Sequence, residues 1–298
     1  MESNWPLASQ AEVEALPRPG FLLERVHDLY RDQFRRWFAI MAPTSILAAI
    51  VFLLSDQQVK EIFRSIPRGE TRYHSGEFVE GLALRFGGFF VSWLLGCFAL
   101  AAIAAVVNGL DKDDPDIVWK HDSYQRAREH LGRIVLAAAV TFCAFSAGVA
   151  LAGFVPLAAA KLIGWSHFSR FIWLASIIGV VVVASIVSWL GAAIPLILRG
   201  NTTMWAALKR SVEVSSGYEG ALFLLVVESL VGSYLAWYAT YHGLRMLVPD
   251  QLRQTWWYGW GVYLLAVLAT ASVEPPLFIG FSLLADPDQL NAPLLPRS

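Results

Sequence analysis

The chain has 298 residues, 56% hydrophobic and only 16% charged, with a formal net charge of -1 and a mean hydropathy of +0.50. That composition is too apolar for a water-soluble domain of this length. A net charge so near zero gives no electrostatic case for nucleic acid as a partner.

Residues 1–20 carry acids, three prolines (Pro6, Pro17, Pro19) and no long apolar core. They read as a polar N-terminal tail and not as a secretory signal. Residues 21–285 read as one membrane domain, and 286–298 as a C-terminal tail. Within the domain, apolar stretches run from Trp37 to Leu54, Phe86 to Val107, Ile134 to Ala160, Phe171 to Leu198, Tyr218 to Tyr241 and Trp256 to Ala285. A bilayer core takes about 20 apolar residues as helix, and only helices or closed barrels satisfy their backbone there. None of the stretches alternates with period two, as a membrane strand would. The expected fold is therefore an all-α membrane protein with six transmembrane helices. Trp37, Trp165, Trp173, Trp237, Tyr238 and the run Trp256, Trp257, Tyr258, Trp260 sit near the ends of spans, where amphipathic rings favour the headgroup layer.

A short amphipathic helix is expected before the first, third and fifth spans. In the first, Leu22, Val26, Leu29, Tyr30 and Phe34 recur at helical spacing, with Arg31, Arg35 and Arg36 on the polar side. The second opens at Asp122-Ser123 and carries Arg126 and Arg128. The third is capped by Thr202 or Thr203, with Met204, Trp205, Leu208 and Val212 on one face and Lys209 and Arg210 on the other. The six spans thus read as three hairpins, each preceded by a cytoplasmic amphipathic helix whose basic residues turn toward anionic lipid. With six spans both termini share a side. That side carries fourteen of the 23 lysines and arginines, so the positive-inside rule places both termini in the cytoplasm.

Gly20-Phe21-Leu22-Leu23-Glu24-Arg25-Val26-His27-Asp28-Leu29-Tyr30-Arg31-Asp32-Gln33-Phe34 resembles the N-terminal motif of bacterial glycerophosphodiester phosphodiesterase membrane-domain proteins. Ser123-Tyr124-Gln125-Arg126-Ala127-Arg128-Glu129-His130-Leu131-Gly132-Arg133 is similar to the helix before that family's third span. Pro195-Leu196-Ile197-Leu198 with Ala206-Ala207-Leu208-Lys209-Arg210-Ser211 resembles its proline-ended fourth span and the helix that follows. The resemblance extends over most of residues 20 to 240. The C-terminal end departs from it, with Glu274-Pro275-Pro276 and Asp286-Pro287 in place of the family's usual ending. The resemblance implies a stand-alone membrane domain in the cytoplasmic (inner) membrane of a bacterium. The phosphodiesterase domain attached in some members has no counterpart in this sequence.

Two acids fall within spans. Glu228 lies about ten residues into the fifth, near mid-membrane by helical rise. No lysine or arginine occupies a span core, so Glu228 is expected to lack a counter-ion. It would point into the bundle as a neutral acid, hydrogen-bonded to Ser229 or Ser233. Glu274 is expected near the cytoplasmic end of the sixth span, beside a break forced by Pro275 and Pro276. An acid beside freed carbonyls could hold a cation, as in the broken helices of transporters. No phosphate loop, dinucleotide fingerprint, zinc-protease helix or nucleophile elbow occurs. The expected role is accordingly non-enzymatic and without cofactor. A scaffold or partner subunit, working with membrane lipids and another membrane protein, comes first. The alternative is a transporter or lipid-permease component using Glu228 and Glu274.

Overall fold

The computed structural model describes residues 19–65, 75–108, 121–162, 168–199, 202–248 and 256–286. Those residues form eleven helices and no strand. They are α1 (Pro19–Asp32), α2 (Phe34–Ser65), α3 (Ser75–Val107), α4 (His121–Glu129), α5 (Leu131–Leu162), α6 (Phe168–Leu190), α7 (Ala193–Arg199), α8 (Met204–Ser215), α9 (Glu219–Leu247), α10 (Trp256–Ala271) and α11 (Pro275–Ala285). Six stretches are long and apolar enough to cross a membrane: Phe34–Asp56, Val79–Val107, Leu131–Ala152, Ile177–Arg199, Glu219–Leu247 and Tyr258–Ala285. The chain is an all-α, multi-pass membrane protein. Most of both tails lies outside the described residues, as do Lys112 and Lys120.

Consecutive long helices pack together, α2 along α3, α5 along α6 and α9 along α10. Close approach is set by glycines where a Cβ would collide with the neighbouring helix. At Gly88 it would meet Ser55 of α2, and at Gly148 it would meet Ile186 and Val182 of α6. Small residues allow this, because apolar helices in lipid associate through packing and not through hydrophobic exclusion. The fourth span is interrupted at Gly191 and Ala192, between α6 and α7. The sixth is interrupted at Ser272, Val273 and Glu274, between α10 and α11.

Three short helices, α1, α4 and α8, dock on the spans. α1 lies mainly on α11, α4 on α3, and α8 on α7 and α6. α1 buries Leu22, Arg25, Val26 and Leu29 and leaves Arg31 exposed. α8 begins as the sequence suggests, with Thr203 as N-cap accepting from the Ala206 amide at 3.4 Å. It ends at a turn where Gly217 adopts φ +92°. Each of these helices also donates a side-chain hydroxyl to a backbone carbonyl of a span. Tyr30 bonds Ser272, Tyr124 bonds Ile40 at 2.5 Å, and Ser211 bonds Trp189 at 2.7 Å. Two of those carbonyls lie beside the breaks, where intrahelical donors run out.

The densest packing surrounds the C-terminal third of α3, where Ala99 to Val107 are all buried. α2, α4, α5, α7 and α11 enclose it. Two ion pairs mark the ends of the bundle. Arg85 pairs with Asp56 at 3.0 Å between the first two spans, and Arg199 pairs with Asp286 at 3.0 Å between the fourth and sixth. Trp37 belongs to the core and not to an interface. It is fully buried, and its indole donates to the Leu29 carbonyl at 3.0 Å.

Candidate functional site

The break in the sixth span follows from its two prolines. Pro275 and Pro276 have no amide hydrogen, so the carbonyls four residues earlier, at Ala271 and Ser272, lose their helical donors. The chain tightens instead, with Val273 N–H on the Thr270 carbonyl at 2.9 Å, and Tyr30 of α1 supplies the donor missing at Ser272. The helix then resumes as α11, whose residues are buried except for half-buried Phe278. Glu274 is therefore not near the end of the sixth span. Eleven further residues of helix lie between it and Asp286. The break does not end the span, because α11 finds an apolar sheath in α1, α3, α7 and α9.

Glu274 faces a half-open cavity of about 1010 Å³ lined by residues of all six spans. Aromatic rings form much of its wall. Phe52 packs on Phe89 at 5.5 Å and on Tyr263 at 6.3 Å, and Trp93 packs on Phe145 at 5.0 Å. Ser45, Ser146, Ser229 and Tyr263 reach the cavity, and four further hydroxyls in its wall are turned to their own helices. Thr44 bonds Met41, Ser92 bonds Gly88, Thr141 bonds Ala137 and Thr270 bonds Val267, at 2.7 to 2.9 Å. Such back-bonding leaves those four positions effectively apolar. Glu274 is the one charged side chain in the lining among the described residues, and its carboxyl makes no hydrogen bond or ion pair there. A lone acid in apolar surroundings is costly and points to a functional site.

Glu228 departs from expectation. It does not turn into the bundle and it has a partner. Its two carboxylate oxygens lie 3.0 and 3.2 Å from His27 Nε2 on α1, and both side chains are about half exposed (51% and 46%). The depth argument fails for a physical reason. α9 has 29 residues, about 43 Å of helix, whereas a bilayer core needs only about 30 Å, so ten residues of rise do not reach mid-membrane. Ser229 faces the cavity with Glu274, while the Ser233 hydroxyl is buried without a bond among the described residues. The four residues thus divide: Glu274 and Ser229 share one cavity, and Glu228 belongs to the α1 docking surface.

His27 has acceptors on both ring nitrogens, since Nδ1 lies 2.7 Å from the Leu23 carbonyl. Only the imidazolium donates at both positions. Burial pulls the His27 pKa down, but the hydrogen bonds to Glu228 and Leu23 outweigh it and the net shift is upward. The stabilisation is therefore fully present below the ordinary histidine value of 6.5 and is lost as pH rises through the raised value. A screened, half-exposed pair contributes about 0–1 kcal/mol. Wild-type protein should be slightly more stable at about pH 6 than at about pH 8, and Glu228→Gln should flatten that dependence with little other loss. An unchanged pH slope in Glu228→Gln would show that the pair does not form.

Arg31, Arg35, Arg126, Arg128, Lys209 and Arg210 are exposed on the short helices or the start of α2. Arg31 leans on Asp28 at 2.8 Å, and half-buried Arg36 reaches Gln33 at 3.5 Å. Sequence reasoning missed His27, which periodicity puts on the polar face of α1, and Arg25, which is buried with Leu22, Val26 and Leu29. Burial lowers the Arg25 pKa against the pull of Asp28.

The fold and cavity define a class: a helical multi-pass membrane protein with a half-open cavity among its spans and, among the described residues, one carboxyl in the lining. No protein-family model, curated protein or solved structure matches the chain.

Proposed function

We propose that this protein is a transporter or lipid-permease component that takes an apolar or amphipathic molecule into its central cavity. What supports this is the cavity itself, about 1010 Å³ within all six spans with Glu274 unpaired in its lining. Protein interiors are close-packed, so a half-open hollow of this size among the spans is left for something other than protein to fill. A scaffold has no use for such a hollow, whereas a binding site does. Its volume lies at the upper end of ligand pockets, about 300–1,000 Å³. No step of bond making or breaking enters this reading.

Gly96 offers the test, because it lines the cavity and a Cβ there would meet nothing within 4 Å. Native mass spectrometry of protein freed from detergent should show a saturable one-to-one adduct with dodecanol. Gly96→Phe should remove the adduct by filling the chamber while leaving the thermal transition in place. Equal adducts in both proteins would overturn the reading.

The scaffold role retains one supporting observation, the arrangement of the short helices. α4 sits on the second span of the pair before it, α8 on the second span of the next pair, and α1 on the sixth span, which closes the cycle. A threefold repeat of helix and hairpin accounts for this, with the three short helices on the cytoplasmic face of a bacterial inner membrane and their basic residues at anionic headgroups. The resemblance of residues 20 to 240 to the phosphodiesterase membrane-domain family fits the same layout. Reporters at Ser298 and after Arg68 should then read opposite sides of the membrane. Reading both on one side, or finding Arg31 and Lys209 on different faces, would refute it.

A further inference from the structure

We infer that the cavity selects a lipophilic monocation: a hydrocarbon body carrying a single ammonium-type head that sits beside Glu274. The inference rests on the cavity reading above and deepens it by naming the chemistry of the occupant. Three observations carry it. Glu274 is the one charged side chain in the lining among the described residues, and its carboxyl has no partner there. No lysine, arginine or histidine lines the cavity among those residues, so nothing inside would neutralise the acid or attract an anion. The remaining wall is aromatic and aliphatic, with Phe52, Trp93, Phe145 and Tyr263 presenting rings.

Each feature excludes an alternative occupant. A neutral hydrocarbon fills the volume but leaves the carboxyl to be neutralised by a proton, so the acid adds nothing to its binding. An anionic amphiphile brings a second negative charge against it. A small hydrated metal cation finds one carboxylate and no second acid in the lining among the described residues, too few anionic oxygen ligands to replace its water. A monocation with an alkyl tail matches all three features. Its charge offsets that of Glu274, ring faces attract it through their quadrupoles, and its tail fills the apolar remainder. The head lies at the break of the sixth span, where Leu277, Phe278 and Phe281 of α11 line the site.

The test compares three probes of equal chain length, dodecyltrimethylammonium, dodecanol and dodecanoate, on detergent-purified full-length protein. Wild type should bind the ammonium about tenfold or more tighter than the alcohol, with the carboxylate weakest. Glu274→Gln should bring ammonium and alcohol to parity while keeping alcohol affinity. Trp93→Leu, which retains the acid, should weaken the ammonium selectively. If Glu274→Gln does not fold, Glu274→Asp must keep the ammonium preference. Alcohol and ammonium bound equally by wild type, or a preference that survives in Glu274→Gln, overturns this inference and leaves the cavity reading intact. Failure of all three probes to bind removes the cavity reading, and this inference with it.

Discussion

Truncating Phe281 to alanine is expected to destabilise the protein by about 3–5 kcal/mol, the range for deleting a buried aromatic side chain. Phe281 is 1% exposed and is among the largest fully buried side chains. It lies on α11, which is packed by α1, α3, α7 and α9, so no single neighbour can move in to fill the space. Its ring rests on Gly191, where an added Cβ would overlap the ring. Gly191→Ala should therefore cost about 1–3 kcal/mol through overpacking. The two changes should also couple, because the added methyl points into the space that Phe281→Ala vacates. Titration with sodium dodecyl sulfate from mixed micelles, followed by tryptophan fluorescence, measures both. A loss under about 1 kcal/mol for Phe281→Ala would show that α11 is not packed as described.

Trp37→Ala should have an effect of similar size, about 3–5 kcal/mol. Trp37 is fully buried at the elbow between α1 and α2, and its indole bonds the carbonyl of Leu29. The helix is interrupted at Gln33, so the indole ties the last turn of α1 to the first turn of α2. Trp37→Phe retains most of the apolar area and loses the hydrogen bond, so it should cost about 1 kcal/mol. The comparison separates packing from bonding. Equal losses for phenylalanine and alanine would mean that the indole bond, and not burial, holds the elbow. Loss of the elbow should also free α1 from α11 and expose the Ser272 carbonyl that Tyr30 covers.

Whatever depends on local composition is legible in the amino-acid sequence. Apolar content summed over about 20 residues identifies a span, and each of the six spans found among the described residues overlaps one of those expected. The N-cap at Thr203 is local too, since a threonine hydroxyl reaches an amide three residues on. The break at Pro275 and Pro276 follows from the missing amide hydrogens and needs no tertiary information.

Partner choice is not legible there, because it joins residues far apart in the chain. Glu228 and His27 are 201 positions apart, and nothing in the polar face of α1 marks His27 as the partner. Trp37 carries the signature of an interfacial tryptophan, yet packing at the α1–α2 elbow buries it completely. α11 is apolar all round, so its sequence has no periodicity to say which face is covered, and in the fold nearly all of it is. The cavity has no sequence signal either, since a void is defined by atoms that are absent between six helices. Glu274 is visible in the sequence as an acid beside a proline break. Its place in the lining of a chamber is decided by the helices packed around it, because only their arrangement determines whether a buried carboxyl meets water, a partner or empty space.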